Sequence, residues 1–394
     1  MNYLEKLLDG AKVEWKTVDD IFHVKNGYTP SKQNQEYWQN GTIPWFRMED
    51  IRQNGRVLSD SIQHISRSAV RGSLIPASSL LMSTTATLGE HALVLVPYTT
   101  NQQITSFTVR NSFSSKVDVK YLFYCFYDFG KWCVDNANKN GGLGIIGVNK
   151  LKQYQIPIPP LSVQKEIVRI LDAFTELTAE LTAELTARKK QYEHYREQLL
   201  SFEDGTVEWK PLGDIAEYSK ERINALSIDK SNYVGVDNLL QNRAGKLDSK
   251  YIPSEGYLTG YCIGDVLIGN IRPYLKKIWH ANNVGGTNGD VLVIHITDKY
   301  INSRYLYHVL ADDKFFAYNM QHAKGAKMPR GNKSKIMEYI IPVPPLEEQQ
   351  RIVDILDKFD TLTTSISEGL PKEIELRKKQ YEYYRDLLLA FPKE

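Results

Sequence analysis

No apolar run in this 394-residue sequence approaches the roughly 18 residues that a membrane-crossing helix needs. The start MNYLEKLLDGAKVEWK also lacks the apolar core of a signal peptide, so a cytoplasmic protein is expected. Cysteine is scarce: Cys125, Cys133 and Cys262 are an odd number without CxxC spacing, which suggests neither a disulfide framework nor a zinc site. The common catalytic signatures are missing too. There is no Walker A sequence, no HExxH, no GxSxG, and no Cys/His cluster at ligand spacing. Gly142 to Gly147, GLGIIG, matches GxGxxG in form, but no strand is expected before it, and it is read as a flexible loop. An adenine methyltransferase would need a motif resembling NPPY or DPPY. The prolines here sit in IPIPP and IPVPP with no acidic or amide residue before them, and they are expected to set the entry into helices.

Charge of one sign is weak overall, with 49 basic against 47 acidic residues, so composition permits nucleic-acid binding without requiring it. Its distribution is more telling. No acidic residue occurs between Asn319 and Met337, where Lys324, Lys327, Arg330, Lys333 and Lys335 accumulate among glycines. A mobile cationic loop suited to phosphates is one reading, and an ordinary solvated basic loop is the other.

What is present, above all, is repetition. IPIPPLSVQKEIVRILDAF (Ile156 to Phe174) returns as IPVPPLEEQQRIVDILDKF (Ile341 to Phe359), and RKKQYEHYREQLLSF (Arg188 to Phe202) returns as RKKQYEYYRDLLLAF (Arg377 to Phe391). Even YLEKLLDGAKVEWK (Tyr3 to Lys16) echoes YREQLLSFEDGTVEWK (Tyr195 to Lys210), as if a two-unit ring had been cut just inside one unit.

From Ser162 the apolar residues Ile167, Ile170, Leu171, Phe174, Leu177, Leu181 and Leu185 keep three- and four-residue spacings, with no glycine or proline until Gly205. That pattern predicts an amphipathic helix of about 40 residues, roughly 60 Å long. Ile352, Ile355, Leu356, Phe359, Leu362 and Ile366 repeat the stripe, and Gly369 with Pro371 marks a break before EIELRKKQ. Two such helices would pack on each other as an antiparallel spacer; the alternative is that each packs on its own domain. Within the first, TELTAELTAELTA (Thr175 to Ala187) is a tetrapeptide repeat whose leucines drift by only about 40° per step.

Residues 1–155 and 206–340 are then two globular units, and 156–205 and 341–394 the helical spacers. Each unit opens with EWK, passes through β-rich stretches, and reaches an aromatic helix candidate, Tyr121 to Phe129 or Tyr305 to Phe316. The fold class is α+β, with a pseudo-two-fold, circular organisation.

With the proline motif twice, the RKKQYExYR blocks, the TAEL repeat and two divergent domains, the chain resembles the specificity (HsdS) subunit of type I restriction-modification systems, most like the IC subfamily. GYTPSKQNQEYWQNGTIPWFRMEDI (Gly27 to Ile51) is similar to the opening of many target recognition domains. That resemblance implies a non-catalytic subunit of the bacterial cytoplasm, active in host defence. Each target recognition domain would bind one half of a bipartite, asymmetric double-stranded DNA target, and the two long antiparallel conserved helices would space the halves. The implied partners are two methyltransferase (HsdM) subunits and, for cleavage, restriction and translocase (HsdR) subunits. S-adenosylmethionine, ATP and Mg2+ would belong to those partners, leaving no cofactor or metal in this chain. The remaining alternatives are a bivalent DNA-binding scaffold or repressor and an enzyme with an unrecognised site.

Base reading needs forked or amide side chains, and phosphate contact needs cations or small donors. In the first domain these are Lys32, Arg47, Arg52, Arg71, Thr84, Thr85, Asn101, Gln102 and Gln103, the last three being adjacent amides that suit adenine edges or could cap a turn. In the second they are Lys220, Arg222, Asn270, Arg272, Lys276, Lys277, Asn288, Lys324, Lys327, Arg330 and Lys333. Surface salt bridges are the competing reading for each. Tyr192, Tyr195, Tyr381 and Tyr384 form a paired aromatic stripe expected to pack helix on helix rather than against a partner.

Overall fold

The computed structural model describes residues 3–139, 142–203, 205–364 and 368–392. It divides into two compact units, Met1–Leu177 with Arg377–Glu394, and Thr178–Leu376.

Strand β1 (Glu14–Thr17) opens the first unit. It is followed by β2 (Phe22–Asn26), β3 (Ile43–Phe46), β4 (Val57–Leu58), β5 (His64–Ile65), β6 (Ser79–Ser83), β7 (His91–Val94), β8 (Thr99–Thr100), β9 (Ile104–Val109) and β10 (Gln155–Ile158). Strands β2, β9, β6, β7 and β4 lie side by side in that order, antiparallel except for the parallel pairing of β4 with β7. A smaller sheet has the order β5, β3, β8. Alternate side chains of a strand face opposite ways, and β6 is buried on both sides. Leu80 and Met82 join the core around Phe22, Phe107 and Phe126, whereas Leu81 joins Phe46, Ala92 and Tyr98. The first of these cores includes the helix Val119–Asn136, into which the predicted Tyr121 to Phe129 falls. Asp118 starts that helix by accepting the N–H groups of Lys120 and Tyr121.

The second unit repeats the plan with other residues. Its strands are β11 (Glu208–Pro211), β12 (Ala216–Tyr218), β13 (Arg222–Asn224), β14 (Tyr233–Val234), β15 (Tyr257–Tyr261), β16 (Val266–Gly269), β17 (Ile278–His280), β18 (Gly285–Thr287), β19 (Val291–Ile296) and β20 (Ile340–Val343). They form sheets of order β12, β19, β16, β17 and β13, β15, β18, β14. Again the central strand is buried on both faces, Val266 and Ile268 in one core and Leu267 in the other. The aromatic run expected as one helix over Tyr305 to Phe316 is two helices, Ser303–Leu310 and Asp313–Gln321. Asp312 divides them because its carboxylate caps the second by accepting the N–H of Lys314 at 2.9 Å.

The duplicated motif performs the same task twice. In each unit it forms a two-stranded ladder, β1 with β10 and β11 with β20, which sets Trp15 opposite Pro157 and Trp209 opposite Pro342. A ladder of two strands tolerates proline, since the missing N–H need not face a third strand. The buried Gln164 then donates to the carbonyls of Pro159 (2.8 Å) and Lys116 (2.9 Å) and accepts the N–H of Asp118 (2.8 Å). Gln349 does likewise with Pro344 (2.8 Å), Tyr300 (2.9 Å) and Asn302 (2.8 Å). Asp172 takes Lys120 and Tyr124, both at 2.6 Å, and Asp357 takes Arg304 and His308, both at 2.7 Å. One scaffold, written twice, therefore fixes each domain helix to its spacer helix.

The long helix runs Leu161–Leu199, about 58 Å at 1.5 Å per residue. Its partner segments are Leu346–Thr364 and Gly369–Leu389, the latter with Gly369 at a φ of 73°. Phe174 stacks on Tyr384 at 5.3 Å, and Tyr192 and Tyr195 stack on Phe359 at 5.9 and 5.5 Å. Rising residue numbers thus meet falling ones, which is the antiparallel arrangement. Tyr381 packs against the first unit's core, so all four predicted tyrosines make contacts within the chain. Leu4, Leu388, Leu389 and Phe391 share that core, which closes the repeat whose tail appears at Tyr3 to Lys16.

Candidate nucleic-acid interface

Five of the residues singled out in the first domain converge. Lys32, Arg47, Asn101, Gln102 and Gln103 line one cleft of about 670 Å³ together with Thr29, Gln35, Trp38, Gln39, Trp45 and Gln63. Its charged groups are both cationic, and most of its polar groups are amides, which offer a donor and an acceptor each. Two indoles fix the wall: Trp38 meets Trp45 edge-on at 5.0 Å, and their N–H groups are already given to the carbonyls of Ser31 (3.0 Å) and Tyr28 (3.1 Å). Arg47 lies 5.6 Å above the Trp45 ring and pairs with Glu49 at 3.0 Å.

The amide turn is held by its own chemistry. Asn101 accepts the N–H of Gln103 at 3.2 Å, and Thr29 hydrogen-bonds Gln102. Gly27 runs so close beneath that a Cβ there would lie 2.1 Å from both the Asn101 carbonyl oxygen and Thr100 Oγ1. Gly27→Ala is accordingly expected to lower unfolding free energy by about 1–3 kcal/mol. Urea unfolding measures it, and an unchanged midpoint would mean that the turn gives way without cost.

In the second domain β16 ends at Gly269, and the chain then bends through Asn270 to Lys277 with left-handed φ values of 53° at Arg272 and 51° at Lys276. The basic loop closes over this bend. Arg272 donates its N–H to Pro329 (2.7 Å), Gly331 donates to Asn270 (3.1 Å), and Lys324 and Arg330 exchange both backbone hydrogen bonds at 2.9 Å. The loop expected to be mobile is thus a clasp. The first domain has the same clasp: Ala86 donates to Gly144 (3.0 Å), Ile146 donates to Thr84 (3.1 Å), and Asn138 and Ile145 exchange bonds at 2.9 and 3.0 Å. From Gly144 onward GLGIIG is therefore pinned rather than flexible, and Ala86, at φ 68°, occupies the place of Arg272. The tips differ in chemistry, with exposed Leu143 and Ile145 in one and exposed Lys324, Lys327 and Arg330 in the other.

The other candidates scatter. Arg52 pairs with Glu90 at 3.7 Å, and Arg71 lies over the Tyr28 ring at 5.1 Å. Thr84 is buried against Thr105 at 3.0 Å, and Thr85 bridges to Ile145 in the clasp. Lys220 pairs with Glu217, Lys276 with Asp313 (2.9 Å) and Arg330 with Asp290 (3.2 Å). Lys277 is buried with its ammonium on the Val236 carbonyl, and burial pulls both lysines of this pair, Lys276 and Lys277, below the ordinary ammonium range. Asn288 accepts the N–H of Asp290 at 3.1 Å, Arg222 is exposed on β13, and Lys333 sits 6.0 Å from the Tyr218 ring. Sequence reasoning missed Gln35, Gln39 and Gln63 in the cleft. The first two had a signal in QEYWQ, where two amides flank adjacent aromatics; Gln63 had none.

Known proteins resemble this chain in sequence and in fold. The family described as the type I restriction modification DNA specificity domain matches residues 11–188 and again 205–376. The specificity subunit of the Escherichia coli type I restriction enzyme EcoprrI is 39% identical over 93% of this chain and 92% of its own length. The EcoR124I/EcoR124II specificity subunit, also from E. coli, is 33% identical over 100% of this chain and 98% of its own. Among solved structures, the type I restriction-modification S subunit from M. genitalium superposes with a TM-score of 0.56 at 16% identity, covering 100% of both chains. A chain from a study of complex assembly and conformational transition of the type I R-M system gives 0.62 at 15% identity, covering 97% of this chain and 98% of that one. At those identities the structures speak to fold alone.

Proposed function

The chain belongs to the type I restriction-modification DNA specificity family, and from that we propose that it is the sequence-reading subunit of such an enzyme, each globular unit binding one half of a bipartite, asymmetric DNA target. One observation carries the reading. The two units share a scaffold down to Gln164 and Gln349, yet present an amide-lined cleft in one and a cationic clasp in the other. Like scaffolds suit two identical partners, and unlike faces suit two different half-sites. The family reading favours this over a bivalent repressor.

In this proposal the long helices hold the half-sites about one helical turn apart and dock two methyltransferase subunits, and restriction and translocase subunits join for cleavage. The reacting adenine must leave the duplex to reach a methyltransferase pocket, so this chain decides which adenine is presented and performs no chemistry itself. S-adenosylmethionine, ATP and Mg2+ are assigned to the partners. The setting is the bacterial cytoplasm; among the described residues no helix is long and apolar enough to cross a membrane.

The test is reconstitution. Purified alone, the chain should neither methylate nor cut DNA, and addition of its methyltransferase subunit should produce adenine methylation at one bipartite sequence. Methylation by the chain alone with S-adenosylmethionine would overturn the adaptor role.

A further inference from the structure

Resting on that reading, the geometry points to Arg272 as a specificity-determining residue, one that reads a guanine in the half-site of the second unit. Its backbone is held in an unusual state at one residue. The φ of 53° is a left-handed value that a non-glycine side chain adopts at a cost, and the N–H is tied to the Pro329 carbonyl at 2.7 Å. Pro273 follows and opens a short helical turn, so the bend is stiff on both sides. Such a residue is aimed rather than free.

Its side chain, by contrast, has no hydrogen-bond or ion-pair partner among the described residues. Arg47, Arg52 and Arg330 each meet a carboxylate. Among the described residues no acceptor takes a hydrogen bond from the Arg272 guanidinium, and its Nε is enclosed without one. The first unit places Ala86 at the same point of the same clasp, so the clasp does not need an arginine. A strained, pinned residue with an unpaired fork, beside a clasp carrying Lys324 and Lys327, fits a guanine edge. O6 and N7 are two acceptors that match the fork, and phosphate attraction falls to the neighbouring lysines.

The experiment uses the chain assembled with its methyltransferase subunits. It reads adenine methylation across a host genome and on duplexes carrying each base pair at each specified position. Arg272→Gly removes the side chain at a φ that glycine adopts freely, so misfolding does not account for its result; Arg272→Asn, also tolerant of that φ, is the second variant. Both are expected to keep bipartite methylation while losing discrimination at a single G·C pair, in the second unit's half-site, by about 5- to 150-fold. Equal or complete loss on all duplexes would mark a phosphate or structural role and overturn the inference. Undiminished discrimination, or loss at an A·T pair, would overturn it too. A wild-type complex that methylates no bipartite site would instead sink the proposed function.

Discussion

Exchange of residues 13–155 for the corresponding segment of another family member should change one half of the methylated sequence and leave the other half and the gap as they were. The physical basis is that the first unit's recognition face and its anchorage are separate. The cleft is built from Thr29 to Gln103, whereas the anchorage consists of the β1–β10 ladder, Gln164 and Asp172, with Val163, Ile167 and Leu171 supplying the apolar floor. A replacement that keeps a buried aromatic helix and an EWK strand can sit on that floor. Two mismatched base pairs already cost about 2–6 kcal/mol, roughly 30-fold to 10⁴-fold, so methylation at the original sites should be almost abolished. Mapping methylated adenines in a host genome gives the answer in one measurement. A change in both half-sites would mean that the units do not read independently.

Insertion of one further TAEL after Leu185 should widen the gap and leave both half-sites intact. Four residues lengthen a helix by about 6 Å, close to two base pairs at about 3.4 Å each, so a gap one to two base pairs wider is expected. The helix is already regular across this point, and Leu177, Leu181 and Leu185 are each half-buried. A fourth leucine would continue their face with a drift of about 40°. Sites with the original gap then offer one half out of register and should lose methylation about as severely as in the exchange. An unaltered gap, or a new half-site sequence, would count against the helices as a spacer.

Much of the framework was legible in the sequence because helices and duplications are written locally. Proline at the entry, uninterrupted three- and four-residue spacing and a late glycine placed the long helix within a residue or two of Leu161–Leu199. The break at Gly369 and the pairing tyrosines were equally local signals. The aromatic run from Tyr305 to Phe316 reads as one helix by its apolar spacing, yet Asp312, a strong helix starter, lies inside it and begins a second. The cleft was legible in part: its amide turn and cations stood out as residue types, but Gln63 reaches the site only through the fold. The clasps were invisible as clasps. Glycine-rich, lysine-rich composition reads as mobility, and the backbone hydrogen bonds that pin Gly144 and Ile146, and Pro329 and Gly331, reach partners some 60 residues away, just beyond the ends of β6 and β16.

By itself, then, the sequence determined that two units share one scaffold, since repeated residues such as Gln164 and Gln349 make the same local bond to a proline carbonyl five residues earlier, as any equal sequence must again. Only the tertiary structure decided which of the unrepeated residues face a ligand. Arg272 and Lys277 are five positions apart with the same charge, yet one is left with an unpaired fork and the other is buried on a carbonyl. That difference comes from the left-handed bend and the clasp across it, and non-local hydrogen bonding of that kind leaves no period or motif in the chain.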